Sequence, residues 1–230
     1  MRKQEKMEKE IRFVLTEAEY EVFKKNAQSH ISMFKKGKAV IETTTMYDNP
    51  NPELTFYSKE VDGRLRVRTS RSGKADIFAS DTQTSTAMLT WKQRVPEYNG
   101  NLLCQEKEIE AVMTADNMDA VVSILENVLH CPRVSAYERN RETFYTEGVE
   151  IASDTFPYGH VVELEMKNNG TEEELYEVAE VLGLHNCTPS VKSCDDMYRW
   201  LCEQTGKTAK NDIMFADVDM PKLDEVFGGK

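Results

Sequence analysis

MEKEIRFVL, Met7 to Leu15, sets the terms on which the rest of the chain is read. Side chains of a strand alternate between two faces, so an extended segment puts Glu8, Glu10 and Arg12 on one side and Ile11, Phe13 and Leu15 on the other. One such strand is a solvated edge with an ion pair. The pattern recurs, however. GRLRVRTS sets Arg64, Arg66 and Arg68 opposite Leu65 and Val67, and AMLTWKQRV sets Thr90 and Lys92 on one face. LCQEKEIEAVM aligns Glu106, Glu108 and Glu110, VSAYERNRETFY aligns Arg139 and Arg141, and HVVELEM aligns Glu163 and Glu165 against Val162, Leu164 and Met166.

Charged faces of both signs backed by apolar faces fit a sheet that closes on itself, with the charges lining the lumen and helices covering the outside. Such a lining is costly to dehydrate, and stability alone does not account for it. Guanidinium and ammonium groups bind phosphate oxygens. Carboxylate clusters hold hard cations such as Mg²⁺ or Mn²⁺, which bridge phosphates. The ligand predicted from these residues alone is a polyphosphate held by metal and base together.

Composition narrows the classes. The chain has 230 residues, 29 basic against 40 acidic, for a net charge of −11. That balance speaks against general binding to nucleic acid or to an anionic membrane. No stretch approaches a membrane span, and MRKQEKMEKE is too charged to open a signal peptide, so a cytoplasmic protein is expected. Five cysteines without a CxxC pair are read as reduced thiols, and four scattered histidines as packing or surface residues.

Between the strands, Thr16 with Glu19 makes a capping-box signal for a helix, and DNPNP marks a turn after Tyr47-Asp48. Residues 70–86 read as a long mobile hairpin connection. DNMDAVVSILENVLH spaces Met118, Val121, Val122, Leu125 and Leu129 along one helical face. Helices are expected from Glu172 to Leu182, ending at Gly183, and from about Ser193 to Glu203. One domain over 1–204 is expected, followed by a loosely attached polar tail over 205–230.

Taken in order, the motifs resemble those of the CYTH domain, the triphosphate tunnel metalloenzyme superfamily. Glu8-Lys9-Glu10-Ile11-Arg12 is similar to its ExExK, Leu65-Arg66-Val67-Arg68 to its LRIR and Leu89-Thr90-Trp91-Lys92 to its LTxK. Glu108-Ile109-Glu110, Arg139-Asn140-Arg141 and Asp154 with Glu163-Leu164-Glu165 continue the series, and Lys192-Ser193 resembles a late basic-Ser pair. Two positions depart from it: Arg12 stands where the family usually has Lys, and Cys194 where it often has Tyr.

The resemblance spans Glu8 to about Trp200. It implies an α+β fold with a closed eight-stranded antiparallel β-barrel, open at both ends, and helices packed outside. It implies a divalent cation, Mg²⁺ or Mn²⁺, on Glu8, Glu10, Asp154, Glu163 and Glu165. Phosphate binding falls to Arg12, Arg66, Arg68, Lys92, Arg139 and Arg141, and catalysis to Arg12, Lys92, Glu108 and Glu110. Arg64 shares their face but abuts the Asp62-Gly63 turn, where solvation accounts for it. The implied activity is hydrolysis of a triphosphate: inorganic tripolyphosphate, a nucleoside triphosphate or thiamine triphosphate. Two alternatives stay open, a class IV adenylate cyclase and a polyphosphate-binding module without turnover. The expected partner is this small molecule, with a homodimer by analogy with the family.

Overall fold

The structure, a computed structural model, describes residues 6–58, 60–74, 77, 86–95 and 103–228. Eight long strands carry the alternation: β1 (Lys6–Leu15), β2 (Lys35–Tyr47), β3 (Gly63–Ser72), β4 (Thr86–Arg94), β5 (Leu103–Met113), β6 (Arg133–Tyr145), β7 (Val149–Phe156) and β8 (Gly159–Met166). They are joined antiparallel in the ring order β1-β5-β4-β3-β2-β6-β7-β8, and β8 pairs back onto β1. The closed α+β barrel expected from the sequence is the fold. Register fixes which charges meet: Glu8 lies opposite Glu106, Arg12 opposite Glu163, Lys92 opposite Glu108, and Arg141 opposite Asp154.

The outward faces carry the core, and helices cover it. α1 (Glu17–Ser29) and α3 (Glu172–Val181) seal Ile11, Phe13, Leu15, Phe144, Ile151, Val162 and Leu164 into one cluster. The predicted capping box of α1 is formed, with the Glu19 backbone N–H donating to Thr16 Oγ1 (3.3 Å) and the Thr16 N–H to Glu19 Oε2 (2.7 Å). Gly183, at φ +77°, ends α3 in a left-handed conformation that a side chain would strain.

α4 (Cys194–Thr205) does something different. Toward one end of the barrel the inward positions stop being charged and become Val14, Met46, Tyr137, Phe156 and Val161, all buried together with Met197, Tyr198 and Leu201 of α4. That end is therefore packed with side chains, and the expectation of a tunnel open at both ends is corrected. Apolar inward positions need a cover, and α4 is it.

Three further expectations change. The helix read from Asp116 to His130 is α2 (Ala115–Ser123) followed by a π-turn over Ile124–Val128. The wider turn shifts the helical phase, so Leu125 is buried while Leu129 is exposed. In the connection read as 70–86, Ser70–Ser72 belong to β3 and Thr86 to β4, and Ile77 is buried in the α1 cluster; residues 75–76 and 78–85 lie outside the described residues.

The segment after α4 is docked, contrary to the loose tail expected. Its strand β10 (Asp212–Ile213) pairs with β6, and Met220 and Leu223, where α5 (Leu223–Phe227) begins, are buried against the α4 cluster. Its apolar residues follow no helical or strand period, and only some of them anchor it: Ile213, Met220 and Leu223 are buried while Phe215 and Val218 are exposed. Leu223→Ala should therefore cost about 2–4 kcal/mol in urea unfolding, the usual range for a buried leucine. A loosely attached segment would lose almost nothing.

Candidate active site: a charged tunnel

The inward face of the barrel encloses a cavity of about 280 Å³. Its lining includes Glu8, Glu10 and Arg12 from β1, Arg64, Arg66 and Arg68 from β3, Lys92 from β4 and Glu106, Glu108 and Glu110 from β5. β6 adds Arg139 and Arg141, and β8 adds Glu163 and Glu165. Every residue given a metal, phosphate or catalytic role in the sequence lines this cavity except Asp154. Among the described lining residues, carboxylates and cations occur in equal number.

The two signs are not mixed at random. β1, β5 and β8 are contiguous and supply most of the acids, while β3 and β6, on either side of β2, supply most of the arginines. A chain of ion pairs runs around part of the ring. Arg139 donates from Nε to Glu42 (2.7 Å) and from Nη1 to Asp154 (3.0 Å). Arg141 donates to both oxygens of Asp154 (2.7 and 2.5 Å) and to Glu163 (2.5 Å). Arg12 then links Glu163 (Nε, 2.8 Å) to Glu10 (Nη2, 2.6 Å). A second group centres on Lys92, whose ammonium lies 2.6 Å from Glu8, 3.1 Å from Glu108 and 3.7 Å from Glu106.

Asp154 is wholly buried, and both its oxygens are taken by Arg139 and Arg141. Its position is that of a residue that fixes two guanidinium groups from behind the lining. Arg64 is buried instead of solvated, because Asp62 (3.1 Å) and Asp196 of α4 (3.5 Å) hold it at the cavity wall and it lies over the Tyr57 ring.

Other donors are left over. Arg66 Nε, Arg139 Nη2 and Thr90 Oγ1 are buried without a hydrogen-bond partner. The nearest carboxylate of Arg66 is Glu108, at 3.7 Å, and Arg68 has Glu42 at 3.7 Å and Thr44 Oγ1 at 3.3 Å. Buried donors without acceptors are costly; besides Arg66 and Arg139 of the basic wall they include Thr90 and Arg94 of β4. Burial and the neighbouring Arg66 and Arg139 lower the Arg68 pKa, which marks a local excess of positive charge.

On the acidic wall the excess has the other sign. Burial, with Glu163 and Glu106 close by, pushes Glu10 up to about 7 although Arg12 opposes the shift. Burial and a hydrogen bond shared with Glu8 push Glu108 up to about 7 as well. By contrast Glu42, opposed by burial but held by Arg139 and Arg68, falls to about 2. Lys92 loses by burial but is held charged by Glu8 foremost, so its pKa rises.

These carboxylates bear on the divalent cation that the resemblance implies. All the donors are oxygen, and Glu10 and Glu108 are crowded enough to hold protons near neutrality, a crowding that a cation would relieve. Among the described residues no three carboxylates converge on one point; Lys92 and Arg12 sit between them. The donor chemistry fits a hard divalent cation, and the geometry is that of a set held by its own basic residues.

Several lining residues went unassigned in the sequence. Glu106 shares the face of Glu108, and Lys167 lies two residues past Glu165, so the period of two could have reached both. Lys167 pairs with Glu165 (2.7 Å) and Glu150 (3.1 Å). Lys192, Cys194 and Asp195 enter the lining from a loop and a helix, and Glu42, which pairs with Arg139 behind it, sits in a threonine-rich strand with no alternating charge to mark it.

No protein-family profile matches the sequence, and no curated protein matches it. Solved structures do. A candidate adenylate cyclase from Vibrio parahaemolyticus is 15% identical over 84% of this chain and 98% of its own, with a TM-score of 0.60. HpAC1 from Hippeastrum, a candidate adenylyl cyclase with a dominant triphosphatase activity, is 13% identical over 88% and 97%, with a TM-score of 0.55. The chain shares the closed-barrel fold of these structures. A chain of the Schizosaccharomyces pombe Mediator head module shares this likeness (11% identity, 80% and 98% coverage, TM-score 0.53), so the tunnel alone does not name an activity. No helix of the described chain is long and apolar enough to cross a membrane.

Two outcomes test this electrostatic account. Asp154→Asn should destabilise the chain by about 3–5 kcal/mol in urea unfolding, since it strands two buried guanidinium groups; a solvated metal ligand would cost far less. Because the folded chain raises the pKa of Glu10 and Glu108, their stabilising contribution holds at about pH 4 and is lost as pH rises toward about 7. Glu108→Gln removes one of these groups, so its stability relative to wild type should climb between about pH 5 and about pH 7.5. A flat difference would contradict the raised pKa.

Proposed function

We propose that the chain is a divalent-cation-dependent phosphohydrolase that cleaves a triphosphate bound in the tunnel. The observation that carries this reading is the unsatisfied basic wall: buried donors on Arg66 and Arg139 beside a loosely paired Arg68, facing carboxylates across one cavity. Phosphate oxygens are the acceptors such donors suit, and charge-assisted bonds to them are the strong kind.

On this reading Arg66, Arg68 and Arg139 hold the phosphate chain, and Lys92 reaches its equatorial oxygens from the opposite side. Arg141 and Asp154 keep Arg139 aimed. Phosphoryl transfer asks mainly for positioning and for charge fixed in advance at the oxygens that gain it. Glu108 and Glu110 line the same cavity, and on this reading one of them orients an attacking water and accepts its proton. Mg²⁺ or Mn²⁺ held by Glu8, Glu10, Glu163 and Glu165 would neutralise phosphate charge and polarise the terminal phosphorus. α4 closes one end of the barrel against bulk water.

A second reading, adenylate cyclisation, draws on a cavity of about 230 Å³ beside the closed end, bordered by Tyr57, Arg64, Asp195 and Arg199. Met46, Arg64 and Asp195 border both cavities, so a triphosphate bearing an organic group has room there. There the ribose 3′-hydroxyl attacks the α-phosphorus and pyrophosphate leaves.

Product analysis separates the readings. Tripolyphosphate, ATP and thiamine triphosphate are each incubated with purified protein and Mg²⁺ or Mn²⁺. Orthophosphate is expected, falling about a hundredfold or more in Arg66→Gln and in Glu8→Gln. Cyclic AMP with pyrophosphate would establish the cyclase, and tight triphosphate binding without product would leave a binding module.

A further inference from the structure

Arg12 lines the tunnel, and each of its three nitrogens already has a partner. Nε donates to Glu163 at 2.8 Å, Nη2 to Glu10 at 2.6 Å and Nη1 to the backbone carbonyl of Lys192 at 2.6 Å. The three acceptors come from β8, β1 and the loop that opens α4. All three bonds are short, and two go to carboxylates, the strongest kind of partner for a guanidinium. Arg66 and Arg139, by contrast, each keep a buried nitrogen with no partner.

The backbone adds to this junction. The Ser190 N–H donates to the Arg12 carbonyl at 2.8 Å, and the short strand β9 (Thr188–Pro189) pairs with β1 at Phe13 and Val14. The loop that carries Lys192 into the tunnel is thus fastened to β1 by main chain on one side and by the Arg12 side chain on the other. Three acceptors in three directions suit a planar fork with nitrogens on three corners. An ammonium on a flexible stem is a single point and does not span them.

We infer that Arg12 is a positioning residue: it fixes Glu10, Glu163 and the α4 loop relative to one another, and it acts on the substrate through them instead of binding phosphate. Its consequence for turnover rests on the triphosphatase reading; the clamp itself does not. A phosphate reaching Arg12 would find every nitrogen already engaged and only the second N–H of Nη1 and of Nη2 left, whereas Arg66 Nε and Arg139 Nη2 have no partner at all.

The test is Arg12→Lys, which keeps the charge and removes the fork, set beside Arg66→Lys. Tripolyphosphate affinity is measured by calorimetry in EDTA, where no turnover occurs. R12K should stay within about threefold of wild type and R66K should weaken about tenfold. With Mg²⁺ present, R12K should lose about tenfold in kcat at unchanged KM, and in the Glu163→Gln background it should lose little more, since its route of action is gone. A tenfold loss of tripolyphosphate affinity in R12K, or full additivity with E163Q, overturns the inference.

If R12K does not fold, the wild-type chain decides. The Arg12 Nε–H resonance in ¹⁵N NMR should hold still on adding tripolyphosphate while that of Arg66 moves, and equal movement overturns the inference. Failure of the wild-type chain to bind tripolyphosphate, ATP or thiamine triphosphate, with or without Mg²⁺, defeats the functional reading instead. Arg12 is then judged by E163Q, which must shift its Nε–H resonance; no shift overturns the clamp.

Discussion

Charges turned inward in a closed barrel must neutralise one another, and the arrangement of the molecule follows from that requirement. Taking an ion out of water costs several kcal/mol even after relaxation, and the cost is recovered only with an opposite charge in good geometry. The barrel meets it by register. Arg12 lies opposite Glu163, Lys92 opposite Glu108, Glu42 opposite Arg139 and Arg141 opposite Asp154; where register sets like charges together, as at Glu8 and Glu106 or Arg64 and Lys92, side chains reach partners elsewhere, Lys92 to Glu8 and Arg64 to Asp196. A one-residue slip of any strand would send its charges into the apolar layer under the helices and its Ile, Leu and Val into the lumen.

With the lumen given to charge, the apolar core has to lie elsewhere. It is divided among separate clusters on the outside of the barrel, one under α1 and α3, one against α4 and α5, and one under α2. Each helix is thus both lid and core partner. The α4 cluster differs because it reaches the inner face, where Val14, Met46, Tyr137, Phe156 and Val161 replace charges. Closing one end of the tunnel and completing a core cluster are the same packing event, and α4 is tied to it by Asp196, which accepts from Tyr57 (2.6 Å) and lies 3.5 Å from Arg64.

What could be read from the sequence is what a period of two transmits. Glu8-Glu10-Arg12, Arg66-Arg68, Glu108-Glu110 and Glu163-Glu165 gave both the barrel and the lining, because position along a strand determines the face. Position along a strand does not determine partners. That Asp154 spends both oxygens on Arg139 and Arg141, and that Arg12 bonds the Lys192 carbonyl 180 residues away, depends on depth and on chain paths that alternation does not encode. Nor does it announce a single well-placed apolar residue such as Leu223, or a π-turn that moves Leu129 out of line. Arg64 looked solvated beside its turn because its burial depends on Asp196, from a helix far along the chain.

The neutrality of the lining also constrains its ligand. A triphosphate carries several negative charges, and a lumen whose acids and bases match offers no net positive charge to receive them. The local imbalance is one of placement: spare donors at Arg66 and Arg139, and crowded carboxylates at Glu10 and Glu108 that hold protons near neutrality. A ligand that is anionic along one side and brings cations along the other suits both walls at once. A bare anion satisfies the arginines and aggravates the carboxylates, and a bare cation does the reverse. On the proposed reading, then, metal and triphosphate bind with positive coupling, each easing the cost that the other imposes on the opposite wall.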